Sequence, residues 1–395
     1  MNFERIPSQI LNDSDTSPTE STLIHSYPGS MPAYLASRLA ERYSSVGEVV
    51  FDPFCGSVAV LLEAAKLGRE VAGVDLLDIS VELAQTAFEL PNPERILKIW
   101  GDVRAGSTEK VSIFAESKLS LEGMSEFHVE LSKWFHKETF VELMSVYREI
   151  NDTQSGAEKR LFDLVLSSSL MSLSNRASRG VLHWGWIADN VKPKEFDLLR
   201  VNVFEELNKR ILRLTDFMKA ANSYKLLLAS KSRIVNHNWN DSNPVDGFNC
   251  GEFDLLLTSP PYPYSIDYTL ALRLTYYLFE KSFTELKKDE IGARFKRKRK
   301  DRGGQYLDEL GGALKKSSCY IKVGGRAVFV LPHPDEYTSV VDLSIESWLG
   351  FIKEKMSGEW VVEEIGFRDC TQRRVVHASK PIRQELVAAF LRVKK

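Results

Sequence analysis

The chain of 395 residues has few of the residues that build metal sites or disulfide frameworks. Its four cysteines and seven histidines show neither zinc-ligand spacing nor a His-Glu-x-x-His pattern. A long apolar run and a signal-peptide pattern are also missing from the sequence. These absences predict a protein of a reducing cytoplasm with no disulfide, no bound metal and no membrane association.

Two further absences narrow the class of protein. The formal net charge is -2, so composition alone does not indicate a nucleic-acid binder, and local basic patches must carry that inference. No Gly-x-Gly-x-x-Gly follows the apolar stretch at Val49, which argues against a nicotinamide-dependent dehydrogenase. With 43% apolar and 27% charged residues, the chain is typical of a large globular protein.

A polar and aromatic segment follows one mainly apolar run. Residues 253–257 predict a buried strand, and Thr258-Ser259-Pro260-Pro261-Tyr262 stands at its carboxyl end, where open α/β sheets bind ligands. The Ser259 hydroxyl and a proline carbonyl can accept hydrogen bonds from an exocyclic amine, while Tyr262 can stack on the ring that carries it. The segment therefore predicts a pocket for a flat, amino-bearing base. A proline-rich turn after a core strand is the alternative.

A second segment has the order strand, glycine loop, helix. Val49 to Phe51 leads into Asp52-Pro53-Phe54-Cys55-Gly56-Ser57, and a stretch of helical composition follows. Glycine here allows a ligand to approach the backbone N–H groups at the helix start. The next strand ends in Asp75, where a carboxylate suits a ribose diol. A third short strand is predicted over Ile96 to Trp100, which would place Asp102 to accept from an adenine amino group.

Together these segments resemble the amino-methylating DNA methyltransferases that use S-adenosylmethionine. The family's cofactor motif is Asp-Pro-Phe-Cys-Gly-Ser-Gly, and its catalytic motif is Ser, Asn or Asp followed by Pro-Pro-Tyr. The segment from His25 to Pro32 is similar to the part of the family that folds over the methionine portion of the cofactor. The resemblance is clearest over residues 22–104 and 252–335.

The resemblance implies an α/β fold, a doubly wound, mostly parallel seven-stranded sheet of the class I methyltransferase, Rossmann-like type. It implies S-adenosylmethionine as cofactor and a short specific site in double-stranded DNA as substrate, in a prokaryotic cytoplasm. A cognate restriction endonuclease is a possible functional partner, and the oligomeric state is open. In the family the serine form of the catalytic motif is associated with cytosine N4, which is therefore expected, with adenine N6 as the alternative. The expected catalytic residues are Ser259, Pro260, Pro261 and Tyr262, and the expected cofactor-binding residues are Tyr27, Asp52, Pro53, Phe54, Cys55, Gly56, Asp75, Asp102 and Thr258.

Methyl transfer to an exocyclic amine needs positioning rather than a covalent intermediate. If Ser259 and the Pro260 carbonyl hold the two N–H groups, the nitrogen can pyramidalise and direct its lone pair at the sulfonium methyl. A carbon-5 cytosine methylase would need a cysteine after a proline, and none of the four cysteines follows one. An RNA or protein-amine methyltransferase and a catalytically silent DNA-binding relative remain open.

Val58 is a departure from the family motif, which has a second glycine at this place. The substitution adds a β-branched side chain where the helix begins beside the expected cofactor. Because valine resists a positive φ, the sequence predicts an ordinary backbone dihedral at this position.

Two stretches predict contact with nucleic acid. The run 294–302 is densely basic and suits phosphates, with a solvated loop as its alternative reading. The stretch 174–186 mixes cations, glycines and tryptophans and equally suits a capped loop with packed aromatics. The expected nucleic-acid-binding residues are Arg176, Arg179, Lys296, Arg297, Lys298 and Arg299.

The two motif halves are separated by about 150 residues, where a sheet of this type needs only a crossover helix. We therefore predict an N-terminal arm over 1–20, a catalytic domain split between 21–104 and 246–395, and a largely helical insertion over 105–245. The insertion is a candidate for target recognition; a cover over the sheet edge or a dimer surface is the alternative. Asp267 and Tyr268 are weaker pocket candidates, because Asp267 also suits a helix cap.

Overall fold

The computed structural model describes residues 4–12, 20–116, 123–174, 198–220, 230–298, 300–334, 344–370 and 384–395. Within these ranges, eight strands form one sheet in the order β1-β7-β8-β6-β5-β2-β3-β4. Strand β8 is antiparallel to both β6 and β7, and the other pairings are parallel. The strands are β1 Glu4–Arg5, β2 Val49–Asp52, β3 Glu70–Asp75, β4 Ser232–Asn236, β5 Phe253–Thr258, β6 Ile321–Pro332, β7 Glu359–Asp369 and β8 Gln384–Lys394.

Helices cover both faces of this sheet. The described helices are α1 Ser8–Leu11, α2 Glu20–Ile24, α3 Ala33–Tyr43, α4 Ala59–Lys66, α5 Asp78–Phe88, α6 Pro93–Glu116, α7 Glu126–Ser132, α8 Lys137–Thr153, α9 Gly156–Leu173, α10 Val203–Ala220, α11 Tyr268–Ala271, α12 Arg273–Leu278, α13 Thr284–Asp289, α14 Arg302–Ser318 and α15 Ile345–Lys355. A 3₁₀ helix spans Arg294–Lys298. No described helix is both long and apolar enough to cross a bilayer.

Alternating side chains of the central strand β5 enter two different hydrophobic clusters. Leu255 and Leu257 pack with α3 to α10, whereas Leu256 packs with α14 and α15 on the opposite face. Because successive side chains of a strand point to opposite faces, a continuous apolar run fits a strand buried on both sides. This is the doubly wound arrangement predicted from the sequence.

The predicted α/β class with a mostly parallel sheet is confirmed. The closing antiparallel pair is also present, as β7 and β8. The sheet has eight strands within the described residues rather than the expected seven, because Glu4–Arg5 adds a short strand to the outer edge of β7. The chain leaves β2 toward β3 on one side and later returns as β5 on the other, which creates a switch point where such sheets bind ligands.

The expected strand over Ile96 to Trp100 is wrong, because these residues lie in α6. The Asn92 side chain accepts from the Arg95 backbone N–H at 2.8 Å, and Pro93 is the first helical residue. Ile96, Ile99, Trp100 and Val103 are buried along one helical face. Their spacing of three and four residues is the helical period, which a five-residue window hides.

The segment 105–245, expected to be a helical insertion, contains the end of α6 and the whole of α7 to α10. These helices share a hydrophobic cluster with the sheet, and α9 packs directly on α5. The segment also contains β4, which pairs with β3 from Ser232 to Asn236. Sheet structure thus resumes before residue 246, where the second part of the catalytic domain was expected to begin.

Candidate active site

Three strands end in polar residues at the same edge of the sheet. Asp52, Asp75 and Thr258 are the last residues of β2, β3 and β5. A pocket of about 840 Å³, counting its open mouth, lies at this edge. It brings together the following residues expected from the sequence: Tyr27, Asp52, Phe54, Cys55, Gly56, Asp75, Ser259, Pro261 and Tyr268.

The glycine loop and the catalytic loop are joined by a hydrogen bond. Thr258 donates from Oγ1 to Asp52 Oδ1 at 2.6 Å, and the backbone N–H of Phe54 donates to the same oxygen at 3.0 Å. Burial raises the pKa of Asp52 to about 7, although both donors favour the charged form. Thr258 is fully buried and is not among the pocket-lining residues, so its contact with the pocket is through Asp52.

Asp75 orients the glycine loop through its carboxylate. Oδ2 accepts from the Gly56 N–H at 2.8 Å and Oδ1 accepts from the Leu77 N–H at 2.9 Å. Burial raises the pKa of Asp75 to about 6. A Cβ on Gly56, whose φ is 38°, would lie 3.2 Å from Tyr27 Cε1. The Tyr27 ring therefore packs closely on Gly56, and a side chain at this position would crowd the ring.

Val58 has φ 68° and ψ 3°, so the prediction of an ordinary dihedral is wrong. Its N–H donates to Cys55 O at 2.6 Å, which closes the turn that starts α4. The valine side chain is fully buried in the hydrophobic cluster rather than in the pocket lining. A left-handed conformation costs a non-glycine residue about 1–2 kcal/mol, and we infer that burial of the side chain offsets this strain.

The segment from residue 25 to 32 forms one wall of the pocket. Ser57 Oγ donates to Ser30 Oγ at 2.8 Å, which ties this wall to the glycine loop. The Tyr27 ring stacks on Tyr268, with centroids 5.9 Å apart and an interplanar angle of 23°. Ser80 Oγ donates to Tyr27 Oη at 3.2 Å, and burial raises the pKa of Tyr27 well above its ordinary value. Tyr27 therefore presents a fixed neutral ring.

Asn238 and Trp239 line the pocket but were missed by the sequence reasoning. They follow β4, which pairs with β3. The sequence predicted the third strand at Ile96–Trp100 instead. Trp239 Nε1 donates to Pro53 O at 2.8 Å. Asn238 Nδ2 donates at 2.9 Å to Oδ2 of Asp289, the last residue of α13. The apolar pair Ile234-Val235 between polar residues was the sequence signal for this strand.

Glu290 is a further pocket residue that the sequence did not reveal. Its carboxylate accepts from the N–H groups of Tyr268 and Thr269 at 2.6 and 3.0 Å, so it caps α11. Asp267, expected to cap this helix, instead accepts from the Phe295 N–H at 2.8 Å. Burial raises the pKa of Glu290 to about 7. Asp52, Asp75 and Glu290 thus form an acidic lining with elevated pKa values.

The catalytic loop places two of its four predicted residues on the pocket wall. Ser259 and Pro261 line the pocket, whereas Pro260 and Tyr262 are not among its lining residues. The Tyr262 hydroxyl donates to Glu385 Oε1 at 3.0 Å, and Ser259 Oγ donates to Tyr262 Oη at 3.3 Å. Tyr306 Oη donates to Pro261 O at 3.0 Å. The loop is therefore held from behind by α14 and β8.

Three other predicted residues are not in the pocket lining. Pro53 contributes its carbonyl to Trp239 instead. Thr258 acts on Asp52, as described above. Asp102 is exposed on α6 and away from the pocket, so its expected contact with adenine is wrong. Across the described ranges no group of three His, Cys, Asp or Glu residues is arranged for a metal ion.

The basic run 294–302 is only partly available for phosphate contact. Lys296 is 2% exposed and pairs with Glu309 Oε1 at 2.8 Å, so its expected role in binding nucleic acid is wrong. Arg297 is exposed. Arg176, Arg179 and Arg299 lie outside the described residues, and Lys298 is described only as part of the 3₁₀ helix.

Comparison with protein families agrees with this arrangement. Residues 3–86, which include the pocket wall at 25–32 and the glycine loop, match the DNA methylase model N6_N4_Mtase. Over these residues the chain is similar to the DNA amino-methyltransferase family. This similarity supports S-adenosylmethionine as cofactor. The family resemblance seen in the sequence is thereby confirmed, whereas the role of the Ser-Pro-Pro-Tyr motif remains a prediction.

Three curated relatives are type II methyltransferases. The chain is 25% identical to M.MvaI of Kocuria varians over 60% of its own length and 52% of that protein. It is 28% identical to M.BsoBI of Geobacillus stearothermophilus, with 69% of this chain and 56% of that protein covered. It is 22% identical to M.MjaII of Methanocaldococcus jannaschii, with 74% and 68% covered. The chain thus spans about half the length of M.MvaI and M.BsoBI and about two thirds of M.MjaII.

Two solved structures that match the chain do so with low TM-scores. TrmN of Thermus thermophilus has a TM-score of 0.32 and 12% identity, with 95% of this chain and 52% of that chain covered. A SAM-dependent methyltransferase of Methanosarcina mazei has a TM-score of 0.36 and 9% identity, with 90% and 98% covered.

Proposed function

We propose that this protein methylates an exocyclic amine of a base in double-stranded DNA, at a short specific site, with cytosine N4 as the target atom. The observation that carries the proposal is the shared pocket of the glycine loop and the catalytic loop. Asp52, Gly56 and Asp75 line it together with Ser259 and Pro261. One cavity therefore brings the groups suited to a methyl donor together with Ser259 and Pro261 of the catalytic loop.

The pocket fits S-adenosylmethionine by the chemistry of its lining. Asp52, Asp75 and Glu290 are buried carboxyl groups with raised pKa values, so a cationic ligand would relieve the cost of ionising them. Gly56 presents its backbone on the pocket wall, where a Cβ would crowd the Tyr27 ring. Asp75 would accept from the ribose hydroxyls, and Asp52 would lie toward the cationic methionine portion. When bound, S-adenosylmethionine supplies an electrophilic methyl group on a sulfonium.

The chain's own contribution to the reaction is the orientation of the target amine. An exocyclic amine on cytosine is a weak nucleophile because its lone pair is delocalised into the ring. Ser259 Oγ and the Pro260 carbonyl would accept its two N–H groups, which turns the lone pair out of the ring plane. The Tyr262 ring would stack on the extruded base and return part of the cost of unstacking, which is a few kcal/mol.

The relatives' type II class supports action on a specific DNA site. It also supports a cognate restriction endonuclease as functional partner, and the cytoplasm of a prokaryote as the place of action. Arg297, which is exposed in the 3₁₀ helix, would contact phosphate. Helices α7 to α10 are proposed to contribute to target recognition, because their segment lies between the two loops in the chain.

The proposal is tested by incubating the purified protein with methyl-labelled S-adenosylmethionine and unmethylated genomic DNA. The DNA is digested to nucleosides, and the labelled product is identified by mass spectrometry. N4-methylcytosine is the expected product. N6-methyladenine would keep the class of enzyme and overturn the choice of base, whereas label found only on RNA or protein would overturn the DNA substrate.

A matched pair of serine variants separates catalysis from folding. Ser259→Ala should lower the methylation rate at least about tenfold, because one acceptor for the amine is lost, while cofactor affinity stays near that of the wild type. Ser265→Ala removes a hydroxyl from the same loop but outside the pocket lining, and its rate should be unchanged. Equal rates for both variants would remove Ser259 from the mechanism.

A further inference from the structure

Glu385 is a buried carboxylate behind the catalytic loop and outside the pocket lining. It lies on β8 with 0% exposure and pairs with Arg368, its register partner on β7, at 2.5 Å. Arg368 Nε also donates to Tyr34 Oη at 2.9 Å. A buried ion pair often adds little net stability, because desolvating the two charges is costly. The contact of Glu385 with Tyr262 of the catalytic loop points to a functional role for this pair.

Glu385 is connected to the pocket by two hydroxyl groups in series. Its Oε1 accepts from Tyr262 Oη at 3.0 Å, and Tyr262 Oη accepts from Ser259 Oγ at 3.3 Å. Ser259 lines the pocket at the other end of this series. The second contact is long for two hydroxyls, as catalytic hydrogen bonds commonly are before a substrate binds.

The direction of each hydrogen bond follows from the charge at the buried end. An ionised carboxylate only accepts, and Arg368 holds a positive charge beside Glu385. Tyr262 has one hydroxyl proton, which it donates to Glu385; the nearby Val330 carbonyl, 3.4 Å away, is likewise only an acceptor. The Tyr262 oxygen is then left to accept. Ser259 must donate to it, so the Ser259 lone pairs remain for the pocket.

This polarity selects the kind of base that the pocket can hold. A free serine hydroxyl rotates and serves as donor or acceptor, so it would accommodate an amino group or a carbonyl equally. A hydroxyl committed to Tyr262 can only accept from the pocket side. An amino group satisfies it, whereas a carbonyl oxygen would leave two acceptors facing each other without a proton.

We propose that Glu385, through Tyr262, is a specificity-determining positioning residue that fixes Ser259 as a hydrogen-bond acceptor and so excludes bases with a carbonyl at the target position. This inference rests on the proposed function for its substrate. The orientation of the hydroxyls itself does not, because it follows from the hydrogen bonds that join Ser259, Tyr262 and Glu385.

The orientation is tested by neutron diffraction of deuterium-exchanged crystals of the wild-type protein without DNA. The expected result is a Ser259 deuteron directed at Tyr262 Oη and a Tyr262 deuteron directed at Glu385 or Val330. A Tyr262 deuteron directed at Ser259 would overturn the proposal. This measurement needs no methylation activity, so it is decided separately from the proposed function.

The specificity is tested with duplexes that carry the methylated site found by product mapping. Binding is measured with cytosine or uracil at the target position, or with adenine or hypoxanthine if N6-methyladenine is the product. Tyr262→Phe keeps the aromatic ring and the Arg368–Glu385 ion pair. It removes the hydroxyl that connects Ser259 to Glu385. It should reduce the wild-type preference for the amino base about tenfold. Comparing variant with wild type cancels the different opening energies of the two duplexes.

Two further variants make this comparison specific. Glu385→Gln can donate as well as accept, so it should also reduce the preference while retaining the shape of the side chain. Tyr264→Phe removes a hydroxyl that lies close to Tyr262 in the chain and donates to the Arg302 carbonyl. This variant should leave the preference for the amino base unchanged. Wild-type preference in both Tyr262→Phe and Glu385→Gln would overturn the proposal, as would an equal loss in Tyr264→Phe.

Discussion

Thr258 and Asp52 are joined by a 2.6 Å hydrogen bond across 206 positions of the chain. The contact connects the last residue of β5 with the last residue of β2, and both residues are buried. A hydrogen bond to a charged group stabilises by about 1.5–3 kcal/mol, so this contact opposes the effect of burial on the Asp52 carboxyl. The two halves of the active site are therefore coupled through the ionisation of Asp52.

The first prediction concerns pH. Asp52, Asp75 and Glu290 have folded-state pKa values of about 7, 6 and 7, all above their ordinary values. Between about pH 4 and 7 the folded protein therefore binds more protons than the unfolded chain, and the contribution of these groups to stability falls as the pH rises. Asp52→Asn removes one such group and preserves an oxygen for both Thr258 and Phe54. Between pH 5.5 and 8 the melting temperature of both proteins should fall. The fall should be smaller in Asp52→Asn than in the wild type, by at least about 2 °C.

The same variant tests how the affinity for S-adenosylmethionine depends on pH. Ionised carboxylates attract a cationic ligand, so wild-type affinity for S-adenosylmethionine should rise from pH 6 to pH 8. Asp52→Asn should bind more weakly and with a flatter profile in calorimetric titrations. A wild-type affinity that is independent of pH over this range would contradict the proposed contact.

The second prediction compares two glycines with positive φ. Gly56→Ala and Gly47→Ala place a Cβ at φ 38° and 84°, so each should destabilise the protein by about 1 kcal/mol. Only the Cβ at Gly56 approaches another residue, Tyr27 Cε1 at 3.2 Å, whereas that at Gly47 meets nothing within 4 Å. Cofactor affinity should therefore fall at least about tenfold in Gly56→Ala and remain unchanged in Gly47→Ala. Equal affinities would place the cofactor away from the loop.

The third prediction concerns the strained backbone at Val58. At φ 68° glycine has no steric penalty, so Val58→Gly should be more stable than Val58→Ala by about 1 kcal/mol. Val60 lies in the following helix and is similarly buried, and there the order should reverse, with alanine better than glycine by about 1 kcal/mol. Denaturant unfolding of the four variants measures both differences. If alanine is more stable than glycine at position 58 as well as at position 60, Val58 is not strained.

The fourth prediction separates Lys296 from Arg297. Lys296→Met leaves Glu309 without its buried cation, so the protein should lose about 3 kcal/mol of stability while the salt dependence of DNA binding is unchanged. Arg297→Ala should leave stability within about 0.5 kcal/mol and lower the salt-dependence slope by about one. Binding titrations at several salt concentrations provide the slopes. A reduced slope in Lys296→Met, measured where the variant is folded, would restore Lys296 as a phosphate contact.

Much of the fold and part of the site could be predicted from local sequence. The strands that end at Asp52, Asp75 and Thr258 are short apolar runs followed by turn residues, a pattern that depends on neighbouring residues alone. Because parallel strands align their carboxyl ends at one edge, these three ends were expected together. Local signals were also available where the prediction was wrong, since Asn92 and Pro93 mark the start of the helix that contains Asp102.

Other features were decided only by the tertiary structure. Glu290 lines the pocket and Glu385 supports Tyr262 because distant segments meet there, and neither carboxylate has a motif of its own. Lys296 is one cation in a basic run, yet it is buried because Glu309 on α14 provides its partner. Val58 takes a positive φ because the turn at Cys55 closes tightly while its side chain enters the core. Apolar periodicity and turn chemistry act over a few residues and are readable in the sequence, whereas the burial, ionisation and strain of a given side chain depend on which remote residues pack against it.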